Sequence, residues 1–178
     1  MNTRNRVVGA VALVALSLSG PAWAASLGGY GGLALASSEG DLLESTTAFK
    51  VFGGGRAGNA ALEVAYVDLG DVVVSGPGGT AAIDASGLEI SLAGFWPMGG
   101  RFELFAKGGL FVWSVDVSAD LVGLGFIAGT DSGTDVTFGI GGQFSVSDRV
   151  AVRLEYQKFL DVSGIDYDYL AAGISASF

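Results

Sequence analysis

The last nine residues of the chain, Leu170–Phe178, alternate between two kinds of side chain and end on an aromatic residue. Counting back from the carboxyl end, every second residue is apolar, and the residues between them are small or polar. Side chains of a β-strand point alternately to opposite faces, so this segment predicts a strand with one apolar face. Chain ends usually fray into water, where an exposed phenylalanine is unfavourable. The ending therefore favours a strand whose apolar face lies in lipid, with Phe178 at the membrane boundary.

The amino end of the chain predicts export. Arg4 and Arg6 precede an apolar run, Val7–Leu18, and the small residues Ala22 and Ala24 then flank a tryptophan. This is the pattern of a secretory signal peptide, so we expect residues 1–24 to be cleaved and residues 25–178 to form one domain. The apolar run is too short to cross ~30 Å of hydrocarbon as a helix, which argues against a membrane anchor. No other segment approaches ~20 continuous apolar residues, so we expect no spanning helix in the exported product.

Composition excludes several classes of function. Cleavage after Ala24 leaves 154 residues with seven basic and 18 acidic side chains, a net charge of −11, which argues against a nucleic-acid partner. The whole sequence has no histidine and no cysteine. Ser–His and Cys–His nucleophiles and ordinary zinc sites are therefore excluded, and we expect neither an enzyme nor a bound cofactor. With 30 glycines, three prolines and 50% hydrophobic residues, the chain is too apolar for a disordered linker and is typical of an all-β protein.

Alternation with a period of two recurs along the whole chain and predicts eight strands. The segments are Leu27–Ser37, Thr47–Gly55, Ala60–Asp68, Leu88–Trp96, Arg101–Val117, Val136–Val146, Val150–Gln157 and Leu170–Phe178. The connections between them alternate in length. Short turns are predicted at Gly55–Asn59, Pro97–Gly100 and Ser147–Arg149, and longer loops at Ser38–Ser45, Asp71–Ala85, Ser118–Gly133 and Leu160–Tyr167.

Short periplasmic turns and longer external loops are characteristic of bacterial outer-membrane barrels. The sequence therefore predicts an eight-stranded antiparallel up-and-down transmembrane β-barrel in the bacterial outer membrane, in contact with its lipid. The last strand must pair with the first, near Leu27–Ser37, to remove both sheet edges. A soluble lipocalin-like barrel is the alternative, but it would turn its apolar face inward and its charges outward. The apolar alternate faces and the terminal aromatic favour lipid outside and charges inside.

Three segments resemble strand motifs of OmpA-type barrels, namely Leu62–Gly70, Lys107–Trp113 and Val152–Gln157, and Gly173–Phe178 is similar to the closing strand of that family. The resemblance extends over the expected mature chain. It implies that a terminal strand ending in Phe178 is read by the outer-membrane assembly machinery. Larger members carry a peptidoglycan-binding domain after the barrel. Because this chain ends at Phe178, we do not extend peptidoglycan anchoring to it.

The alternation also predicts which charged side chains face the barrel interior: Lys50, Glu63, Glu89, Glu103, Lys107, Arg153 and Glu155. An eight-stranded barrel is just wide enough to be filled by its own side chains, where uncompensated charges would be costly. We therefore expect a paired network that plugs the lumen, and the resemblance implies the same for Glu63, Arg153 and Glu155. A bulge at Gly108–Gly109 would change the face of Phe111 and Trp113.

Other features of the sequence predict surface properties rather than chemistry. The segment Gly53–Gly58 matches a dinucleotide-binding glycine pattern, but a period-two segment follows it, so we interpret it as a tight turn. Acidic residues concentrate in the external loops, where Asp161, Asp166 and Asp168 are candidate ligands for Ca²⁺ or Mg²⁺. The apolar stretch Asp120–Ala128 is expected to prolong two strands as a ribbon, with a ligand or partner patch as the alternative. The aromatic residues expected at the membrane boundaries are Tyr66, Trp96, Phe102, Tyr156 and Phe178.

These observations predict a monomeric envelope protein with a structural and surface-contact role. Two alternatives remain open at this stage. One is a small porin-like channel in which exchange of ion-pair partners opens a path for small solutes. The other is a surface adhesin that binds through its acidic external loops.

Overall fold

The computed structural model describes residues 28–40, 45–77, 79–121 and 125–178. The expected signal peptide, residues 1–24, lies outside the described residues. Eight strands follow one another along the chain: β1 (Gly28–Gly40), β2 (Thr46–Ala57), β3 (Ala60–Gly76), β4 (Gly79–Gly99), β5 (Phe102–Leu121), β6 (Gly125–Ser145), β7 (Val150–Val162) and β8 (Ile165–Ser177). No helix within the described ranges is long and apolar enough to cross a bilayer.

The eight strands close into one antiparallel barrel in which every strand pairs with its neighbours in sequence. Closure is made by β1 and β8, which pair from Tyr30↔Ser177 to Gly40↔Tyr167. Phe178 continues this pairing beyond β8, since its backbone N–H donates to the Gly29 carbonyl at 2.9 Å. The predicted fold class and the predicted pairing of the last strand with the first are confirmed.

The two faces of the barrel are opposite to those of a soluble barrel. Large apolar side chains cover the outside, including Leu33, Leu92 and Ile140. Charged side chains such as Glu63 and Lys107 are buried inside. Apolar residues outside and polar residues inside are the arrangement that a strand needs when one face contacts lipid. The lipocalin-like alternative is therefore excluded, because the apolar face of each strand points outward and the charged face points inward.

Short turns connect the strands at one end of the barrel, as the sequence predicts. Turns at Gly58–Asn59, Gly100–Arg101 and residues 146–149 connect the strands at the periplasmic end. Gly58 and Gly100 have φ angles of 58° and 60°, a conformation that glycine adopts without the penalty of a side chain. In the glycine pattern Gly53–Gly58, the residues up to Ala57 continue β2 and only Gly58 belongs to the turn, so the tight-turn prediction is right for Gly58 alone.

Three segments predicted as external loops are mainly strand. Asp71–Ala85 belongs largely to β3 and β4, Ser118–Gly133 to β5 and β6, and Leu160–Tyr167 to β7 and β8. The ladder between β5 and β6 continues without a shift from Phe102↔Phe144 to Leu121↔Gly125. The ribbon interpretation of this region is therefore confirmed. The loop prediction was wrong because small residues interrupt the hydrophobic alternation there, while the backbone ladder needs no hydrophobic side chain.

The register through Gly108–Gly109 is also continuous, with Leu92↔Gly108 followed by Ser91↔Gly109. No bulge occurs at this point, so Phe111 and Trp113 face inward together with Lys107. Register shifts occur elsewhere, between Asp68 and Asp71, between Pro97 and Gly99, and between Phe159 and Val162. The alternation of β5 is therefore preserved along the part whose side chains face the lumen.

Candidate functional site

Six buried charged side chains meet inside the barrel and form what we call the charge layer. They come from five strands, because each occupies an inward position in the alternation of its own strand. The layer consists of three cations and three carboxylates, Lys50, Lys107, Arg153, Glu63, Glu89 and Glu155, all buried. Its charges therefore balance, which is the condition under which buried ions are tolerated.

The two lysines bridge the three carboxylates. Lys50 Nζ lies 3.1 Å from Glu89 Oε2 and 3.1 Å from Glu155 Oε1, and Lys107 Nζ lies 2.8 Å from Glu89 Oε1 and 2.5 Å from Glu155 Oε1. Glu63 Oε1 is more distant, at 3.7 Å from Lys50 Nζ and 3.4 Å from Lys107 Nζ. Each carboxylate thus contacts both lysines, and removal of any one leaves two ammonium groups with fewer counter-charges.

Arg153 joins two of the carboxylates from the periplasmic side. Its Nη1 donates to Glu63 Oε2 at 2.8 Å, and its Nη2 lies 2.9 Å from Glu155 Oε2. The guanidinium is stacked between two rings, with its centre 4.8 Å from the Phe52 centroid and 4.0 Å from the Phe105 centroid. Cation–π contacts of this kind are stronger in a desolvated site than at a surface.

Neutral side chains complete the hydrogen bonds around the charge layer. Tyr30 donates to Glu63 Oε2 at 3.1 Å, and Gln157 accepts from Lys50 Nζ at 3.2 Å. The Gln157 amide donates in turn to Thr137 Oγ1 at 2.6 Å, and Thr137 donates to the carbonyl of Lys158 at 3.0 Å. This chain of contacts fixes Gln157 beside the lysine and links the layer to the backbone of β7.

Glycines leave room for the rings on the periplasmic side of the charge layer. A Cβ atom at Gly32 would lie 2.5 Å from Cζ of Phe52, and one at Gly141 would lie 2.7 Å from Cε1 of Phe105. Both distances are far below van der Waals contact, and a backbone carbonyl oxygen of the neighbouring strand is equally close to each position, so a side chain there would displace a ring or shift a strand. The glycines of β1 and β6 are therefore part of the packing that encloses the charges.

Aromatic side chains pack against one another on the extracellular side of the charge layer. Phe111, Phe159 and Tyr169 lie beyond the charged residues along β5, β7 and β8, and all three are fully buried. The Phe111 and Phe159 centroids are 4.6 Å apart, and Phe159 meets Tyr169 edge-on at 5.7 Å. Offset and edge-to-face ring contacts at such distances are favourable, so these rings form a packed cap over the charge layer.

Glu103 is separate from the charge layer, although the alternation of its strand predicts that it faces the barrel interior with the other charges. It lies at the periplasmic mouth, where Arg56 makes two hydrogen bonds to its carboxylate, each 2.9 Å long. Gln143 donates a third at 2.7 Å, and the Arg56 and Glu103 side chains are 25% and 20% exposed. Sequence reasoning missed Arg56 as a lumenal residue because it was assigned to a turn. Its parity with Lys50 and Phe52 would have identified it.

The expected boundary aromatics lie on the outer face at two levels. Tyr66 and Tyr156 are near the extracellular ends of the spanning strands, whereas Trp96, Phe102 and Phe178 are near the periplasmic turns. Trp96 covers an outward glycine of its own strand, since a Cβ at Gly94 would lie 3.2 Å from the indole. Membrane barrels carry aromatic girdles at two such levels, and the assignment of these residues to the membrane boundaries stays a prediction.

The three aspartates proposed as cation ligands do not converge. Asp166 Oδ1 accepts a hydrogen bond from the backbone N–H of Asp161 at 3.0 Å, and Tyr156 donates to Asp168. Lys158 Nζ lies 3.8 Å from Asp166 and 3.7 Å from Asp168, so one positive charge already lies beside both carboxylates. Within the described ranges, no group of three acidic side chains is arranged to hold a metal ion.

A row of carboxylates crosses the outer face beyond the membrane. Asp84 faces Asp71 on β3 and Asp116 on β5, and it lies two outward positions beyond the apolar Leu88. Burial, and then the hydrogen bond and repulsion from Asp71, raise the pKa of Asp84 to about 6. Like charges placed directly opposite one another across strands destabilise the pairing.

This row predicts that acid stabilises the extracellular sheet. Because the folded pKa of Asp84 is above its unfolded value, the folded state binds the proton more tightly, and stability falls as pH rises through about 6. We expect the free energy of unfolding to be about 1 kcal/mol higher at pH 5 than at pH 7, after allowance for solvent screening. Asp84→Asn should remove this difference in urea titrations, whereas Asp148→Asn in a periplasmic turn should keep it. Equal pH dependence in the wild type and Asp84→Asn would contradict the assignment.

Comparison with known proteins identifies similar sequences and folds. A family model for OmpA-like transmembrane domains matches residues 20–171. Outer membrane protein A of Shigella flexneri is 26% identical over 95 residues, which are 53% of this chain and 27% of that protein. The corresponding protein of Salmonella typhi is 25% identical over the same length. The matched region thus spans about a quarter of these curated relatives.

Solved structures share the fold at low sequence identity. Ail of Yersinia pestis, in complex with the heparin analogue sucrose octasulfate, superposes with a TM-score of 0.61 at 11% identity, covering 85% of this chain and 97% of Ail. The amino-terminal barrel of Pseudomonas aeruginosa OprF gives 0.60 at 10% identity, covering 84% and 97%. Neisserial surface protein A gives 0.58 at 16% identity, covering 86% and 97%.

Proposed function

Since the chain belongs to the OmpA-like transmembrane domain family, we propose that it is a non-enzymatic structural protein of the bacterial outer membrane whose lumen is closed. The observation that carries the proposal is the balanced charge layer, in which three buried cations and three buried carboxylates meet inside the barrel. An eight-stranded barrel has an interior that its own side chains can fill. A lumen filled in this way supports the envelope without opening it.

The packing on both sides of the charge layer supports a closed lumen. Phe111, Phe159 and Tyr169 cap the layer towards the exterior, and Phe52 and Phe105 enclose Arg153 towards the periplasm. The periplasmic mouth contains a cavity of about 130 Å³ lined in part by Arg56 and Glu103. We propose that this cavity ends at the aromatic rings and is not the entrance to a continuous water path.

A bilayer measurement tests the closed lumen against the small-channel alternative. Purified protein refolded into a planar bilayer should give no conductance above that of the bare bilayer, because ions would have to displace both apolar layers and the charge layer. Successful insertion is checked by the mobility difference between boiled and unboiled samples on detergent gels. Stable single-channel steps from correctly folded wild-type protein would overturn the closed-lumen proposal.

The composition supports a function without catalysis. The sequence has no histidine or cysteine, and the carboxylates of the charge layer all contact cations rather than open space. A carboxylate acting as a general acid or base needs access to a substrate and a pKa suited to proton transfer. Paired and enclosed carboxylates of this kind are suited to packing.

We also propose a role in surface contact, favoured by one observation. Strands β3 to β6 continue well beyond the spanning part of the barrel and form a sheet on the extracellular side, where acidic residues predominate. Such a rigid projection offers backbone and side chains to molecules outside the cell. The solved structure of Ail, which shares the fold, contains a heparin analogue, but the acidic sheet described here favours a partner of opposite charge.

Assembly and association are part of the same proposal. The closed ring leaves no unpaired strand in the spanning part of the barrel, so we propose that the protein works as a monomer. The outward apolar side chains of β8, together with Phe178, would be the feature recognised by the outer-membrane assembly machinery.

A further inference from the structure

One side of β6 has no strand partner along its extracellular half. β6 pairs with β5 from Gly125 onwards, but it pairs with β7 only from Thr137 towards the periplasmic end. Within the described residues, the backbone of residues 125–136 is therefore paired on one side alone. Every second residue of such an edge directs its N–H and C=O groups away from the sheet.

The part of this edge farthest from the membrane has no neighbouring segment beside it among the described residues. Ser163, at the tip of the β7–β8 hairpin, donates a hydrogen bond to Asp131 Oδ2 at 2.8 Å. The hairpin thus lies beside the lower part of the edge through side chains, while Gly125–Thr130 extends beyond this contact. We call Gly125–Thr130 the β6 edge. Its six residues match the ordinary length of a β-strand.

The β6 edge lacks the features that usually prevent strand addition. It contains no lysine, no proline and no bulge, and all six residues are exposed. Phe126 is 72% exposed and Ile127 is 57% exposed, on opposite faces of the same strand. Natural proteins usually protect long exposed edges with charges, prolines or bulges. An unprotected edge with exposed apolar side chains is consistent with a surface kept open for a partner.

The surroundings of the β6 edge are acidic. Phe126 faces Asp120 and Thr130 faces Asp116 across the β5–β6 ladder, and Asp131 follows the edge along β6. Among the described residues beyond the membrane on this side, Lys158 is the only basic one, and it lies beside Asp166 and Asp168. Charge complementarity therefore favours a basic partner over an acidic one.

We infer that the β6 edge accepts an extended basic segment of a partner polypeptide by strand addition. The inference rests on the proposed surface-contact role and names the place and the chemistry of that contact. Backbone hydrogen bonds to Gly125–Thr130 would provide affinity, and alternate side chains of the added strand would provide specificity. Its basic side chains would lie on the face that carries Asp116 and Asp120, and its apolar side chains beside Ile127.

A second copy of this chain is a less suitable occupant of the β6 edge. Two copies in one membrane have their β6 strands running in the same direction, so they could pair only in parallel, the weaker geometry. Pairing would also bring the Asp131 side chains of both copies towards each other. Like charges across a strand pair are destabilising, so the same acidic surroundings that attract a basic segment oppose self-association.

The test uses the folded protein in nanodiscs and a blocked peptide of alternating lysine and valine as the probe. We expect saturable binding that weakens as salt is raised, because exposed charges contribute to it. A peptide with N-methylated alternate residues, which has the same charge but fewer backbone donors, should bind about tenfold more weakly or worse. A glutamate–valine peptide should not bind.

Matched variants locate the binding on the β6 edge. Asp120→Asn should weaken lysine–valine binding by about two- to fivefold, whereas Asp148→Asn at the periplasmic end should leave it unchanged. Equal binding of the methylated peptide, or equal effects of the two variants, would overturn the inference and indicate charge attraction alone. Self-association of the protein without peptide binding would also overturn it.

A separate experiment distinguishes failure of this inference from failure of the proposed function. Shortening Ser118–Gly133 with the barrel intact should abolish contact with cells or surfaces if the extracellular sheet has that role. Loss of cell contact on shortening, together with no peptide binding by the wild type, would reject the β6 edge and keep the surface-contact role. Unchanged cell contact on shortening would reject the surface-contact role itself.

Discussion

We expect replacement of Glu63 by alanine to lower the free energy of unfolding by about 3–5 kcal/mol, the range found when one member of a buried ion pair is removed. Glu63 accepts hydrogen bonds from Tyr30 and Arg153 and lies within 3.7 Å of both lysines. Its loss leaves three buried cations with two carboxylates. The measurement is a urea titration of the refolded protein in detergent micelles, followed by tryptophan fluorescence.

Glu103 provides the matched control for Glu63. It also pairs with an arginine, but its side chain and that of Arg56 are partly exposed at the mouth of the barrel. Water can solvate Arg56 after Glu103→Ala, so we expect a loss of about 1 kcal/mol or less. The double variant Glu63→Gln with Arg153→Met should recover part of the stability lost in Glu63→Gln alone. Equal losses at Glu63 and Glu103 would show that the charge layer is solvated.

The second large effect is expected at Phe159, the central ring of the extracellular cap. Its side chain is fully buried and contacts the rings of Phe111 and Tyr169. Phe159→Ala removes these contacts and leaves a cavity beside the charge layer, so we expect a loss of about 3–5 kcal/mol in the free energy of unfolding. The same urea titration measures it.

Phe138 is the control for Phe159. It belongs to β6 and faces the outside, where its side chain is 48% exposed on the surface that contacts lipid. Phe138→Ala leaves no internal cavity because lipid can fill the space, so its effect should be clearly smaller. Similar losses for the two variants would indicate that the cap is loosely packed and would weaken the case for a closed lumen.

The closed-lumen proposal and these stability predictions depend on the same residues. The charge layer is neutral as a whole, yet each carboxylate contacts at least two cations, so its ions cannot be removed one at a time without cost. A structure of this kind favours rigidity over exchange of partners. Loss of a cap ring and loss of one carboxylate therefore test the same proposal, the first in the packing above the charge layer and the second within the layer itself.

The alternation of side chains predicted most of the fold. Inward positions of Lys50, Glu89 and Arg153 followed from counting by twos along each strand, because the side-chain period of a strand does not depend on distant contacts. The lumenal position of Arg56 was not predicted, because the predicted turn Gly55–Asn59 includes this residue whereas β2 extends to Ala57. The external ribbons were also missed over Asp71–Ala85, where the hydrophobic alternation fades but the ladder with β3 continues.

The sequence by itself determined the strand number, the direction of the apolar face and the set of ionisable side chains available to the lumen. The reason is local, since alternation and turn residues act within a few positions of the chain. Only the tertiary structure decided which charges meet. Lys50 of β2 reaches Glu155 and Gln157 of β7 across the barrel, whereas Glu103 pairs with Arg56 at the mouth. The tilt and registers of all eight strands set those distances together, and the same registers leave one side of Gly125–Thr130 unpaired.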